Sequence, residues 1–324
     1  MQRPAVFTIA TGKPVYLEMA YGLARSFRLW HRNSEIDFYL VTDTPAEGLP
    51  VDLKDLNIIP IAHGQYGSGF HTKLHLDILA PADCSMFIDA DCLFVGCLDA
   101  AFPEFRGHAI SVIGPMVRDI EWFGDIAAIC RKHNIPAMPK FNGGLYYLER
   151  GTACTAVFET ARSLAEQYDE LGFVRLRGQP NDEVIISLAM AIHGEAPIPE
   201  RGEIMNTIID GPCGVTLDVI KGYACILNPK EHPRHNPWHE AEVMHPRIVH
   251  FLGIDTDTYP YNREILRLKL ICEDRWPSWL ARLYAVITVS IPSLLGKTFK
   301  DTFRPLYHAT VGVRPLSPSR RIED

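Results

Sequence analysis

Residues 85–95 read Ser85-Met86-Phe87-Ile88-Asp89-Ala90-Asp91-Cys92-Leu93-Phe94-Val95, two apolar runs with a pair of carboxylates between them. A short uninterrupted apolar run reads as a strand covered on both faces, the kind a largely parallel sheet contains. Ligands of such sheets sit beyond the carboxyl ends of the strands, so Asp89 and Asp91 fall where chemistry is expected. In a strand-like conformation alternate side chains share a face. Two carboxylates there converge on one hard divalent cation, which removes their mutual repulsion. The competing reading is structural, with Asp89 capping a turn or helix and Asp91 solvated. For an isolated Asp-x-Asp that reading is the commoner one, but the apolar brackets hold this pair at the edge of a core and favour the metal.

Working outward, Ala5–Ala10 reads as a strand that stops at the loop signal Thr11-Gly12-Lys13-Pro14. Tyr16, Met19, Ala20, Leu23, Phe27 and Trp30 then recur at helical steps, and Asp37 to Asp43 is a second strand ending in a carboxylate. Strand, helix, strand is a βαβ unit, and it implies a mostly parallel sheet flanked by helices. Further strands are expected over 57–61, 85–88, 110–113 and 144–148, and helices over 72–79, 152–168 and 182–192.

The chain has 324 residues, 47% hydrophobic and 22% charged, which suits one large domain or two ordinary ones and excludes disorder. With 32 Lys plus Arg against 39 Asp plus Glu, the net charge of −7 offers no field for nucleic acid. The eight cysteines show no Cys-x-x-Cys spacing and mostly lie in apolar company, so buried reduced thiols, a reducing compartment and a cytoplasmic location are expected. The first residues carry no charged leader or long apolar run.

Three more segments carry chemistry: Phe141-Asn142-Gly143-Gly144 before a strand, Asn181-Asp182-Glu183 opening a helix, and His250-Phe251-Leu252-Gly253 closing the strand Ile248-Val249. Together with Asp89-Ala90-Asp91, in this order and spacing, they resemble the GT-A glycosyltransferases, most closely the family 8 group of glycogenin and the lipopolysaccharide galactosyltransferases, over roughly residues 5 to 255. The resemblance implies a Rossmann-like GT-A catalytic domain over 1–258, with 259–324 as a C-terminal extension. It implies transfer of a sugar from a UDP-sugar to a glycan, lipid-linked or protein acceptor, with retention. Asp89, Asp91 and His250 would hold Mn²⁺ or Mg²⁺ on the UDP diphosphate. Thr8, Ala10, Thr11 and Tyr16 would face uracil and ribose, Lys73 would supply a basic group near the donor, and Ala90 and Gly253 belong to the two metal motifs. Asn142, with Gly143 and Gly144 permitting close backbone approach, would position the donor sugar, and Asp182 would bind its hydroxyls.

Glu183 stands where the best-known members of that group have glutamine. A glutamate there fits a covalent nucleophile, a stabiliser of the oxocarbenium-like sugar, a conservative exchange, or compensation of the helix dipole. The sequence departs from the group after Gly253, where Ile254-Asp255-Thr256-Asp257 replaces a lysine and Pro-Trp, and in the first loop, where Lys13 and Pro14 leave no counterpart for an aromatic residue.

Two other functions compete. A haloacid dehalogenase-type phosphohydrolase also uses Asp-x-Asp after a strand, but it expects Thr or Val where this chain has Leu93. A catalytically silent nucleotide-sugar binder would leave Asp182 and Glu183 structural. His232, His235 and His239 are spaced as if for zinc, but Pro233 and Pro237 break any helix that would align them. The Pro- and His-rich stretch 200–245 is expected to shape the acceptor site, and Gly67-Ser68-Gly69 reads as a loop, not a P-loop. Leu283 to Gly296 is uncharged, yet with Pro292 inside it falls short of the roughly 20 residues that span a bilayer. Its aromatic and basic flanks suit either a helix docked on the core or peripheral contact with the inner face of a membrane.

Overall fold

A computed structural model describes residues 3–45, 48–67, 69–176, 178–239, 241–310 and 312, so Ser68 of the glycine loop and 313–324 of the C-terminal extension lie outside the described residues. At its centre is a six-stranded sheet in the order Asn57–Pro60, Asp37–Thr42, Ala5–Ala10, Cys84–Ile88, Leu145–Glu149, Ile110–Ser111. The first four strands are parallel, and Leu145–Glu149 runs against both of its neighbours. Alternation along the strands divides the interior in two. Val6, Leu40, Met86 and Ile88 pack under the helix Pro14–Trp30 with Leu23 and Phe27. Phe7, Val41, Phe87 and Tyr146 face the other way, against Phe158 of the helix Thr152–Glu166 and Ile185 of the helix Asp182–Ile192. The expected βαβ start and mostly parallel α/β architecture are present.

The Asp-x-Asp pair is not on a strand. Cys84–Ile88 ends before it, a turn closes with the Cys92 amide donating to the Asp89 carbonyl at 3.1 Å, and the chain resumes as Cys92–Phe94. That short strand belongs to a second sheet, antiparallel to Ile248–His250, with His250 directly opposite Cys92. Met205–Thr207 adds a third strand.

Four expectations need correction. The helix expected over 72–79 is a 3-10 segment, Gly69–His75, followed by only Leu76–Leu79 in α form. Lys73 lies in the 3-10 part and is tied to Asp89, and such a tertiary contact outweighs the poorer hydrogen bonds of a 3-10 turn. The strand expected over 110–113 joins the central sheet at Ile110–Ser111, and Ile113 instead makes an isolated parallel bridge with Ile198. All eight cysteines are free, but just Cys92, Cys130 and Cys154 are buried, and Cys213 is exposed.

The tail is the largest difference. Ser278–Ala285, a π-helical turn Val286–Ser290 and Ile291–Thr310 form a continuous helix through Pro292. Proline lacks an amide proton, and it falls just after the π turn, the kind of local widening that accommodates it. Over Ser278–Tyr307 the helix is long and apolar enough to cross a membrane, by length and composition. Nor is it docked along its length. Ala281 and Ala285 are buried, whereas Leu283, Ile287, Ile291, Leu294, Leu295, Phe299 and Leu306 are exposed.

His31 shows how a polar residue was built into this core. It stacks on Phe27, its Nδ1 lies 3.0 Å from the Phe27 carbonyl, and its Nε2 accepts from the Leu98 amide, so the neutral ring is the one that fits. Burial pushes its pKa down to about 4 from 6.5. The unfolded chain therefore binds the extra proton first, and the stabilisation is complete above pH 6.5 and lost as pH falls toward 4. Urea titrations over that range are expected to show a loss approaching roughly 3 kcal/mol, which His31→Gln flattens.

Candidate functional site

Four acidic side chains meet at the carboxyl end of the central sheet, delivered by separate segments. Asp89 and Asp91 come from the turn after Cys84–Ile88. Asp182 and Glu183 open the helix Asp182–Ile192, whose start is fixed by Asn181 accepting from the Glu183 amide at 2.9 Å. Lys73 reaches in from the 3-10 segment, its Nζ 2.7 Å from Asp89 Oδ2, 2.9 Å from the Gly143 carbonyl oxygen and 3.9 Å from Asp182 Oδ2. Burial alone would lower the Lys73 pKa, but Asp89 and Asp182 outweigh it and raise it.

His250 joins this group from far downstream. Its Nε2 stands 3.1 Å from Asp91 Oδ1 and 3.9 Å from Asp89 Oδ2, and Asp91 and His250 are both buried. Burial works against a charged imidazole here, yet Asp91 and Asp89 prevail and raise its pKa. Asp91, Cys92 and His250 bring potential ligand atoms within 4.8 Å of one another. Two carboxylate oxygens around one imidazole nitrogen suit Mn²⁺ or Mg²⁺, whereas Cys92 is the softer donor in the cluster. The residues present therefore fit a divalent cation.

The other positions resolve as follows. Asp182 is buried and accepts from Tyr146 Oη at 2.7 Å; burial raises its pKa against the pull of Lys73 and Tyr146. Glu183 Oε1 accepts from the Gly143 amide at 2.7 Å, and burial, with Asp182 adding, pushes its pKa up to about 7. Asn142 Oδ1 accepts from the Gly144 amide at 3.0 Å. The glycines make room for this chain's own side chains. A Cβ on Gly144 would lie 2.7 Å from His250 Nδ1, and one on Gly143 would lie 3.1 Å from Asp182 Oδ2. Thr8 and Ala10 are buried, Thr11 and Tyr16 half-buried, Ala90 is buried in the turn, and Gly253 opens a 3-10 segment with φ +54°. The Gly12 amide donates to Asp43 Oδ2 at 3.1 Å, and His63 Nδ1 lies 2.7 Å from the same atom.

Asn142 and Glu183 also line a cavity of about 260 Å³ whose other walls include Trp122, Lys140, Glu200, Asn206, Asp210, Trp238 and His239. His239 Nε2 is 3.1 Å from Asp210 Oδ2, and Asp210 also accepts from Thr207 and Asn236. Burial disfavours both charges, but each partner overcomes it, so the Asp210 pKa is lowered and that of His239 is raised. Lys140 Nζ sits 3.6 Å above the Trp238 ring, and burial lowers its pKa. Sequence reasoning placed His239 in a loop near substrate but missed Asp210, Lys140 and Glu200. Among the described residues, His239 sits on an acidic partner, whereas His235 Nδ1 lies 3.1 Å from the Asn228 carbonyl and His232 Nδ1 accepts from the Arg234 amide.

No protein-family model matches the sequence, and a comparison with curated proteins finds no match. Solved structures do resemble it. An active-site glutamine-to-glutamate variant of LgtC aligns at TM-score 0.54 and 17% identity, covering 80% of this chain and 93% of that one. The galactosyltransferase LgtC in complex with donor and acceptor sugar analogues aligns at TM-score 0.51 and 15% identity over the same shares. The chain has a GT-A fold.

Because Gly144 and His250 are in contact, Gly144→Ala is expected to destabilise the protein by roughly 1–3 kcal/mol through overpacking. Urea unfolding of Gly144→Ala in a His250→Ala background, where the obstructing ring is gone, is expected to recover most of that loss.

Proposed function

We propose that the chain is a metal-dependent glycosyltransferase that moves a sugar from a UDP-sugar to an acceptor with retention at the anomeric carbon. The observation that carries this reading is the meeting of Asp89, Asp91 and His250 beside Asp182, Glu183 and Asn142, at the open end of a GT-A sheet and next to a polar, aromatic-walled cavity. Residues 1–258 would form the catalytic domain.

A divalent cation held by Asp89, Asp91 and His250 would supply Lewis acidity toward a departing diphosphate. Lys73 pairs with Asp89 at 2.7 Å and lies 3.9 Å from Asp182, which fixes both carboxylates in position. Glu183, held by the Gly143 amide, lies at the boundary with the cavity, where its carboxylate can stabilise positive charge developing on a sugar ring. LgtC with donor and acceptor sugar analogues is one of the structures sharing this fold, and the LgtC variant carries glutamate in place of an active-site glutamine. The cavity, with Trp238 for ring stacking and Asp210, His239 and Asn206 for hydroxyls, suits the acceptor sugar. The fold gives no support to the phosphohydrolase alternative, and release of UDP from a UDP-sugar is the measurement that separates the enzyme from a silent binder. The exposed apolar helix favours peripheral membrane contact by the 259–324 extension at the cytoplasmic face.

UDP release from a panel of UDP-sugars is expected to require Mn²⁺ or Mg²⁺, and Asp91→Asn is expected to lower it at least about 100-fold. Sugar-phosphate hydrolysis, or nucleotide-sugar binding with no turnover at all, would sink the proposal. With Glu183 ionising near pH 7, kcat/KM is expected to rise through that pH as the carboxylate forms. Glu183→Gln removes this limb of the profile.

A further inference from the structure

A second cavity, of about 240 Å³, lies where the last turn of the Pro14–Trp30 helix meets the end of the Tyr261–Cys272 helix. The crossover helix runs back against the parallel strands, so its last turn is at the amino end of the sheet, away from Asp89. Four guanidinium groups line the cavity, those of Arg25, Arg28, Arg32 and Arg275, against the carboxylate of Asp52. Cations near helix C-termini complement the helix dipole, which accounts for some of this charge. Arg25 is committed to Asp52 at 2.8 Å and to Glu273 at 2.7 Å. Arg28 is shared between the Asp52 carbonyl and Asp55, 2.9 Å away. Arg32 and Arg275 are exposed, and their side chains make no ion pair or hydrogen bond with the described residues.

This basic cavity adjoins a groove along the apolar tail. Ile220 borders both it and a neighbouring groove walled by Lys221 and by Trp279, Arg282 and Leu283 of the C-terminal helix. From Leu283 the exposed stripe continues through Ile287, Ile291, Leu294 and Leu295 to Phe299, all at helical steps. A chain of net charge −7 is repelled by an anionic surface unless a local basic site engages it.

We propose that Arg28, Arg32 and Arg275 form a receptor for the phosphate of an anionic phospholipid headgroup, placed to set the orientation in which the C-terminal helix lies on the bilayer. The proposal rests on the membrane-contact reading of that helix. Planar guanidinium forks match phosphate oxygens in pairs, and the two uncommitted ones border the same cavity. The adjoining stripe selects a lipid over free phosphate, because only a lipid brings acyl chains to Leu283 and Ile287.

The test is cosedimentation of the full chain with phosphatidylcholine vesicles, with and without phosphatidylglycerol. The wild-type protein is expected to favour the anionic vesicles roughly tenfold or more. Arg32→Glu with Arg275→Glu is expected to abolish that preference without changing binding to neutral vesicles or UDP release in solution. Arg32→Lys with Arg275→Lys keeps the charge but loses the forks, and is expected to lose most of the preference. Retention of full preference by either pair, or binding of inorganic phosphate with no preference among vesicles, overturns the receptor. Leu294→Ser with Leu295→Ser and Phe299→Ser tests the helix separately: undiminished binding to both vesicle types would defeat the membrane reading itself.

Discussion

Four acidic side chains, Asp89, Asp91, Asp182 and Glu183, are packed into one end of the central sheet, and the repulsion among them in a low-dielectric setting is the constraint the surrounding structure answers. Lys73 lies against Asp89 and within 3.9 Å of Asp182, Tyr146 donates to Asp182, the Gly143 amide donates to Glu183, and His250 stands against Asp91. The compensating groups come from three segments, 69–75, 143–146 and 248–250. The 3-10 form of Gly69–His75, the glycine pair at 143 and 144, and the pairing of Ile248–His250 with Cys92–Phe94 all serve to bring them there.

Glu183 belongs to two environments, since it accepts from the Gly143 amide in the charged centre and also lines the cavity. The Lys73 and Asp89 side of the centre is where the proposed function puts a cation and a diphosphate. Toward Trp238 and the Asp210–His239 pair, the mixture of aromatic rings, carboxylates, an imidazole and an ammonium suits a sugar. The Glu183 carboxylate, with a pKa raised to about 7 by burial, is shared by both. The basic cavity beside the tail shares no lining residue with either, so the proposed surface contact and the proposed transfer chemistry can be altered independently.

Much of this was legible in the residues. The strand Ala5–Ala10 and the helix Asp182–Ile192 have the bounds the sequence predicts, because each is an apolar run buried at nearly every residue and stopped by local loop or capping signals. Asp89 and Asp91 announced themselves as carboxylates between apolar runs, whereas Asp182, Glu183 and His250 were marked by the resemblance of their motifs to the GT-A glycosyltransferases. Where local pattern and tertiary contact disagreed, contact prevailed. Lys73 holds its segment out of an α-helix, and Asp89 and Asp91 meet His250 from a turn instead of sharing one face of a strand. The Asp210–His239 and Lys140–Trp238 pairs join residues 29 and 98 positions apart in stretches with no period, and nothing local marks them.

The order of elements, the parallel sheet and the identity of the acidic and imidazole groups were thus determined by the sequence alone, since hydrophobic periodicity and chain reversal leave few ways to cover both faces of a sheet. The tertiary structure decided which charges neutralise which, that the glycine pair makes room for this chain's own His250 and Asp182, and that the tail presents its apolar stripe instead of burying it. The reason is distance. Periodicity acts over a few residues, whereas a buried charge is settled by whichever partner the fold brings within a few ångströms, wherever in the chain that partner lies.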